Sequence, residues 1–210
     1  MNFSPPKYVQ KTLRRLESRG HEAYLVGGCV RDMLLGRRPK DWDLCVSALP
    51  EEVLALFPRS YPTGLAHGTV TVLAAGRPLE ITTFRTEGGY LDHRRPSFVS
   101  FTKSLEEDLS RRDFTINAMA LSGAGELYDP FGGRSDLQAR RLGCVGDARL
   151  RFEEDALRML RALRFAAQLN FSITPETLAA IAEKAHLAAS LAGERIASEL
   201  EKIFLSPAPQ

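Results

Sequence analysis

The sequence predicts an α+β fold in two parts: strands and short helices over residues 1–147, then helices alone over 148–210. Three observations predict it. The apolar run Tyr24–Val26 meets Gly27-Gly28 and then a segment with helical spacing that closes on Gly36, a strand–turn–helix unit. The runs His67–Ala74 and Leu79–Arg85 are strand-like and joined by Ala75-Gly76-Arg77-Pro78, a hairpin turn. From Arg151 onward only helical periodicity remains. A length of 210 residues suits one large domain, or a domain with an appendage.

Taken in order, Val9, Leu13 and Leu16 lie at helical spacing, with Gly20 as a C-cap. After the strand–turn–helix unit, Lys40-Asp41-Trp42-Asp43-Leu44-Cys45-Val46 reads as the entry to a strand. Residues i and i+2 of a strand share a face, so Asp41 and Asp43 are expected to project together. Two such carboxylates repel unless a cation lies between them, and Mg²⁺ commonly takes one or two carboxylates plus water and phosphate oxygens. A solvated turn ahead of a strand is the plainer reading. Gly-Gly at a helix N-terminus lets backbone N–H groups approach a phosphate, and Arg31 adds positive charge nearby. Together the two stretches describe a phosphate cradle beside a metal site. The G-x-G-x-x-G dinucleotide pattern is absent, which excludes a metabolic dehydrogenase of that type.

Pro50 opens a short helix. In the second β run Glu80, Thr82 and Phe84 share one face and Ile81 and Thr83 the other. Glu80 is thus a third carboxylate able to stand beside Asp41 and Asp43, as a metal ligand or as a base for a hydroxyl proton; it also fits an edge-strand glutamate facing water. Residues 86–103 show no clear periodicity and read as a long loop. With Asp92, His93, Arg94 and Arg95 the loop suits an element closing over an anion. Ser104 caps a helix with an acidic first turn that leads into Arg111-Arg112-Asp113. Leu142–Gly146 is an apolar piece that could close the sheet. Over Glu154–Phe165, read as one helix, Arg158, Arg161 and Arg164 line an arc opposite an apolar stripe, with Asp155 adjoining Arg158 at i,i+3. A wet basic face is the plain reading, and a bound polyanion would relieve the like-charge crowding.

The net charge of +2 says little; the basic residues cluster at 94–95, 111–112, 140–141 and 158–164. Three cysteines without metal-ligand spacing, no secretory pattern and no apolar run of about 18 residues lead to the expectation of a cytoplasmic protein.

The motifs Val26-Gly27-Gly28-x-Val30-Arg31-Asp32, Asp41-Trp42-Asp43, Arg111–Ala118, Asp129–Gly133 and Glu154-Asp155-x-x-Arg158-x-x-Arg161 occur in an order that resembles the class II tRNA nucleotidyltransferases, that is, the CCA-adding enzymes and bacterial poly(A) polymerases. The resemblance spans roughly residues 22–170. It implies a DNA polymerase β-like nucleotidyltransferase head, a mixed sheet flanked by helices, over 1–147. A helical neck over 148–210 would begin the RNA-binding region, with body and tail absent. By motif, Asp41 and Asp43 are implied to bind catalytic Mg²⁺. Gly27, Gly28 and Arg31 are implied to meet the triphosphate, and Arg112, Asp113 and Asn117 the nucleotide, Asp113 at its ribose. Asp155 and Arg158 are implied to read the base edges of CTP and ATP, supported by Arg161 and Arg164. The implied activity is addition of CMP and AMP to the 3′ end of tRNA by two-metal phosphoryl transfer. An A-adding or poly(A) polymerase is the alternative, and an inactive nucleotide- or RNA-binding module the rival. The resemblance also implies, from a complete loop over Glu87–Pro96, CCA or A addition in preference to CC addition.

Overall fold

The computed structural model describes residues 4–90 and 96–208. In chain order its elements are α1 (Lys7–Glu17), β1 (Ala23–Val26), α2 (Gly28–Leu34), β2 (Asp43–Val46), α3 (Pro50–Leu56), β3 (Ser60–Gly64), β4 (Thr69–Ala74) and β5 (Arg77–Thr83). Then come β6 (Arg85–Tyr90), β7 (Pro96–Phe101), α4 (Leu105–Ser110), β8 (Ala120–Ser122), β9 (Leu127–Tyr128), α5 (Gly133–Gln138) and β10 (Arg141–Leu142). The chain finishes with α6 (Ala148–Glu154), α7 (Leu157–Leu169), β11 (Ser172–Ile173), α8 (Pro175–Lys184) and α9 (Gly193–Phe204). Two compact units result. One comprises Met1–Thr86, Val99–Arg111 and Asn117–Phe131; the other Glu87–Phe98, Arg112–Ile116 and Gly132–Gln210.

The first unit is built on a seven-stranded sheet in the order β3-β4-β5-β2-β1-β8-β9. It is mixed: β2 runs parallel to β5, while β1 is antiparallel to both β2 and β8. Alternation explains its burial. In β5, Leu79, Ile81 and Thr83 are buried while Glu80 is exposed, as period-2 geometry requires. Leu25, Leu44, Val70 and Ile81, each at most 1% exposed, form the centre of the core. Helix α1 contributes Val9, Leu13 and Leu16 to the core and packs on β1 and β4.

Three readings need correction. Residues 86–103 are not a structureless loop, because β6 and β7 form a two-stranded sheet. The sequence signal was masked by Gly88, over which the ring of Phe98 lies so closely that a Cβ would fall 2.6 Å from it. Asp92, His93, Arg94 and Arg95 lie outside the described residues. Second, the Leu142–Gly146 piece does not close the main sheet. Its first residue belongs to β10, which pairs in parallel with β11 in the second unit; β11 is also a strand in a stretch read as helical throughout. Third, the helix read over Glu154–Phe165 is two helices. Asp155 is extended (φ −139°, ψ 104°), which ends α6 and lets α7 begin in a new phase. The core of this unit includes Ala148, Phe152, Ala156, Met159 and Ala180, from α6, α7, α8 and the link between the first two.

Candidate nucleotide and metal site

The predicted residues fall into two sets. Gly27, Gly28, Arg31, Asp41, Asp43, Glu80 and Asn117 lie in the first unit; Arg112, Asp113, Asp155, Arg158, Arg161 and Arg164 in the second.

In the first unit, strand register assembles the set. Val26, the last residue of β1, stands opposite Asp43, the first of β2. The Gly27-Gly28 turn therefore emerges beside Asp43. Gly27 has φ 71° and ψ −133°, a conformation essentially restricted to glycine, and it turns the chain directly into α2. Cys29 fastens the junction, its Sγ donating to the Val26 carbonyl at 3.2 Å and lying 3.9 Å from the Asp43 carbonyl. On the other side of β2, Asp43 stands opposite Glu80 in parallel register. Residues level with each other on neighbouring strands point to the same face, so Asp43 and Glu80 share one. Asp41 precedes the strand in an exposed bend, so the i,i+2 rule that was expected to align it with Asp43 does not apply to it.

Arg31 is held in place. Its Nε and Nη2 donate to Asp32 Oδ1 at 3.0 and 2.8 Å, and its Nη1 donates to Asn117 Oδ1 at 2.8 Å. Asn117 is buried, so its amide acts on Arg31 as an orienting group. Asp32 is the positioning residue that sequence reasoning passed over, although an acid next to a candidate phosphate-binding arginine was a signal. Among the described residues no group of three His, Cys, Asp or Glu side chains is placed to hold a metal. An ion that takes one or two protein carboxylates and fills its shell from water and phosphate needs no such cluster.

In the second unit, the arginines of α7 are not a wet face. Arg158 is 9% exposed, and its Nη1 donates to Glu154 Oε2 at 2.5 Å and to the Arg151 carbonyl at 3.2 Å. Arg161 donates through Nε to Asp113 Oδ2 at 2.9 Å, and the Asp113 charge raises its pKa further above the ordinary arginine value. Arg164 pairs with buried Glu199 of α9 at 2.6 Å and lies over the Phe165 ring, its pKa lowered by burial. The charge crowding expected along this helix is relieved by protein carboxylates. Asp155 adjoins Arg158 at i,i+3 through the backbone: the Arg158 N–H donates to the Asp155 carbonyl at 2.9 Å. The Asp155 Oδ1 accepts from the Leu157 amide at 3.1 Å, and Arg195 lies 3.4 Å from that carboxylate. An Asp followed by a helical run is an N-cap signal, and that signal could have located the break. Arg112, half-buried, directly precedes Asp113. A cavity of about 480 Å³ opens beside Glu154, lined also by Gly88, Gly89, Tyr90, Leu150 and Lys184. Tyr90 donates to Glu87 at 2.7 Å, and its pKa is raised by burial and by that carboxylate.

Residues 23–143 match the family described as Poly A polymerase head domain, and residues 170–210 one described as a probable RNA and SrmB-binding site of polymerase A. The CCA-adding enzyme of Anoxybacillus flavithermus is 55% identical over 199 residues, 95% of this chain and 49% of that protein. The crystal structure of the Bacillus stearothermophilus CCA-adding enzyme in complex with CTP aligns with a TM-score of 0.90 at 46% identity, over 98% of this chain and 50% of that one. A tRNA nucleotidyltransferase complexed with a primer tRNA and an incoming ATP analog aligns with a TM-score of 0.75 at 33% identity, over 92% and 56%. The chain spans about half the length of the curated relatives it matches. With a mixed sheet flanked by helices and a family match over residues 23–143, the chain belongs to the poly A polymerase head-domain family.

Proposed function

We propose that this chain carries the nucleotide-transferring part of a CCA-adding enzyme, which adds CMP and AMP from CTP and ATP to the 3′ end of tRNA. The observation that carries this reading is the Val26–Asp43–Glu80 register, which brings a Gly-Gly turn, an oriented arginine and two acidic residues on neighbouring strands into one neighbourhood. An NTP γ- and β-phosphate would lie against Gly27, Gly28 and Arg31. The RNA 3′-hydroxyl oxygen attacks the α-phosphorus in line, and the bond to pyrophosphate breaks. That Glu80 is exposed and level with Asp43 supports a role for it as acceptor of the hydroxyl proton or as a further ligand.

Membership of the family implies use of a divalent metal, and we take it to be Mg²⁺ on Asp41 and Asp43. When bound, a pair of such ions stabilises the attacking and leaving oxygens. Asp155 offers acceptors and Arg158 donors, the two halves of a base-edge pattern, with Arg112, Asp113, Arg161 and Arg164 as their support. The nucleotidyltransferase head is taken as 1–147 and the start of the RNA-binding helices as 148–210, a reading favoured by family matches that end at 143 and begin at 170. A cytoplasmic location belongs to the same proposal, since CTP, ATP and tRNA meet there; among the described residues no helix is long and apolar enough to cross a membrane.

The test is Mg²⁺-dependent binding of each NTP to the chain, beside Asp43→Ala and Arg158→Ala. Binding of CTP and ATP but not GTP or UTP, lost in Asp43→Ala, supports the proposal. ATP alone would turn it into an A-adding or poly(A) polymerase. No NTP binding by a folded chain would leave the inactive binding module.

A further inference from the structure

Of the basic clusters that stand out in the sequence and lie among the described residues, most are neutralised by the protein itself. Arg111 pairs with Asp108 at 2.8 Å, Arg141 with Asp136 at 2.6 Å, and the α7 arginines with Glu154, Asp113 and Glu199. A different stretch is left uncompensated. Arg37, Arg38 and Lys40 are all exposed, and none has a carboxylate partner among the described residues. They occupy the link from α2 to β2 and so lead directly into Asp41 and Asp43.

The link is held rigidly. Gly36 (φ 69°) closes α2 with its N–H on the Met33 carbonyl at 3.1 Å and the Arg37 N–H on the Asp32 carbonyl at 2.8 Å. This is a Schellman motif, which fixes the direction in which the chain leaves a helix. Pro39 is buried, so the chain is pinned between Arg38 and Lys40 while those two side chains stay in solvent. Three cations thus stand on a fixed strap, which reduces the ordering cost that a mobile basic tail would carry on binding an anion.

We infer that Arg37, Arg38 and Lys40 form a contact surface for the phosphodiester backbone of the RNA strand whose 3′ end is extended. The inference rests on the proposed function and names a surface outside its catalytic and nucleotide-binding residues. For Arg37 and Arg38 the incoming triphosphate is the poorer occupant, because the cradle assigned to it lies at the N-terminal end of α2 and these two leave the C-terminal end, about 10 Å away along a seven-residue helix. A strand approaching Asp41 and Asp43 presents successive phosphates, and phosphate oxygens are the groups that arginine and lysine most often meet on a nucleic acid.

The experiment measures binding of a short single-stranded oligoribonucleotide ending in CC to the chain across a range of salt concentrations. Each phosphate neutralised on a single strand contributes about −0.7 to the slope of log K against log salt. Arg37→Ala/Arg38→Ala is expected to make the slope shallower by about 1.4, with CTP affinity unchanged. Arg37→Lys/Arg38→Lys should keep the parent slope, because charge and not guanidinium shape is used. Lys7→Ala/Lys11→Ala removes the same charge from exposed positions of α1 and should leave the slope unmoved. Equal effects of the two alanine pairs would overturn the strap, as would an unchanged slope in Arg37→Ala/Arg38→Ala or no RNA binding by the parent. Loss of CTP binding in the parent would instead sink the proposed function.

Discussion

Gly28 has room for a methyl group on the protein side: a Cβ there would meet Arg31 Nη2 at 3.6 Å, an ordinary contact. Gly27 differs, since φ 71° with ψ −133° strains any side-chain-bearing residue. The two glycines therefore separate a folding requirement from a ligand requirement. Gly28→Ala should leave stability to urea unchanged or raise it by up to about 1 kcal/mol, since alanine suits a helix start better. It should weaken CTP and ATP binding, because the methyl stands where a phosphate would approach. Gly27→Ala should cost about 1–3 kcal/mol of stability. Unchanged NTP affinity in Gly28→Ala would remove the phosphate from this turn. At this scale the sequence was readable: a Gly-Gly pair after an apolar run and an Asp ahead of another are local patterns, and local geometry carried both to the right elements. What could not be read was which partner each arginine takes. Arg31 reaches Asn117, 86 positions away, and Arg161 reaches Asp113, 48 positions away, and no spacing rule extends so far.

Between elements, what covers α7 decides how the second unit is built. Arg158, Arg161 and Arg164 all follow the break at Asp155 and lie in one helix at i, i+3 and i+6, so they keep the shared arc that their spacing predicts. That arc is covered by protein: Arg158 is 9% exposed and meets Glu154, Arg161 meets Asp113, and Arg164 meets Glu199 of α9. The helical wheel places residues around one helix and carries no information on which other elements lie over a face. The Asp155 cap and the Arg164–Glu199 pair can be tested separately. Asp155→Ala loses the carboxylate that accepts from the Leu157 amide and should cost about 1 kcal/mol; Asp155→Asn keeps a capping oxygen and should keep most of that stability while altering nucleotide choice. Glu199→Ala leaves Arg164, 13% exposed, with no carboxylate from α9, and should cost about 3–5 kcal/mol. Arg164→Met/Glu199→Leu should recover most of it. Urea denaturation distinguishes these outcomes, and a Glu199→Ala chain as stable as the parent would show that the pair does not hold α7 to α9.

For the whole molecule, each compact unit contains a thiol whose ionisation its interior opposes. Burial pushes the Cys29 thiol in the first unit up to about 11, and the Cys144 thiol in the second up to about 12, against an ordinary value of 9.0. The sign follows from proton counting. From about pH 9 the unfolded thiol releases its proton while the folded one keeps it, so the unfolded state binds fewer protons and stability falls as pH rises. Across the window from 9 to about 11 the Cys29 contribution falls by about 1.4 kcal/mol per pH unit, and Cys144 adds a similar slope over its own window. Tyrosine and lysine groups titrate over the same range, so the prediction is a difference between variants. Cys29→Ala, whose side chain donates to the Val26 carbonyl in the parent, should start less stable at pH 8 and lose less on going to pH 10.5. Cys144→Ala should likewise flatten the alkaline limb. Denaturation midpoints measured from pH 8 to 10.5 test this directly. If both alanine variants followed the parent's slope, the alkaline limit would belong to other groups, and neither interior would be enforcing neutrality on its thiol.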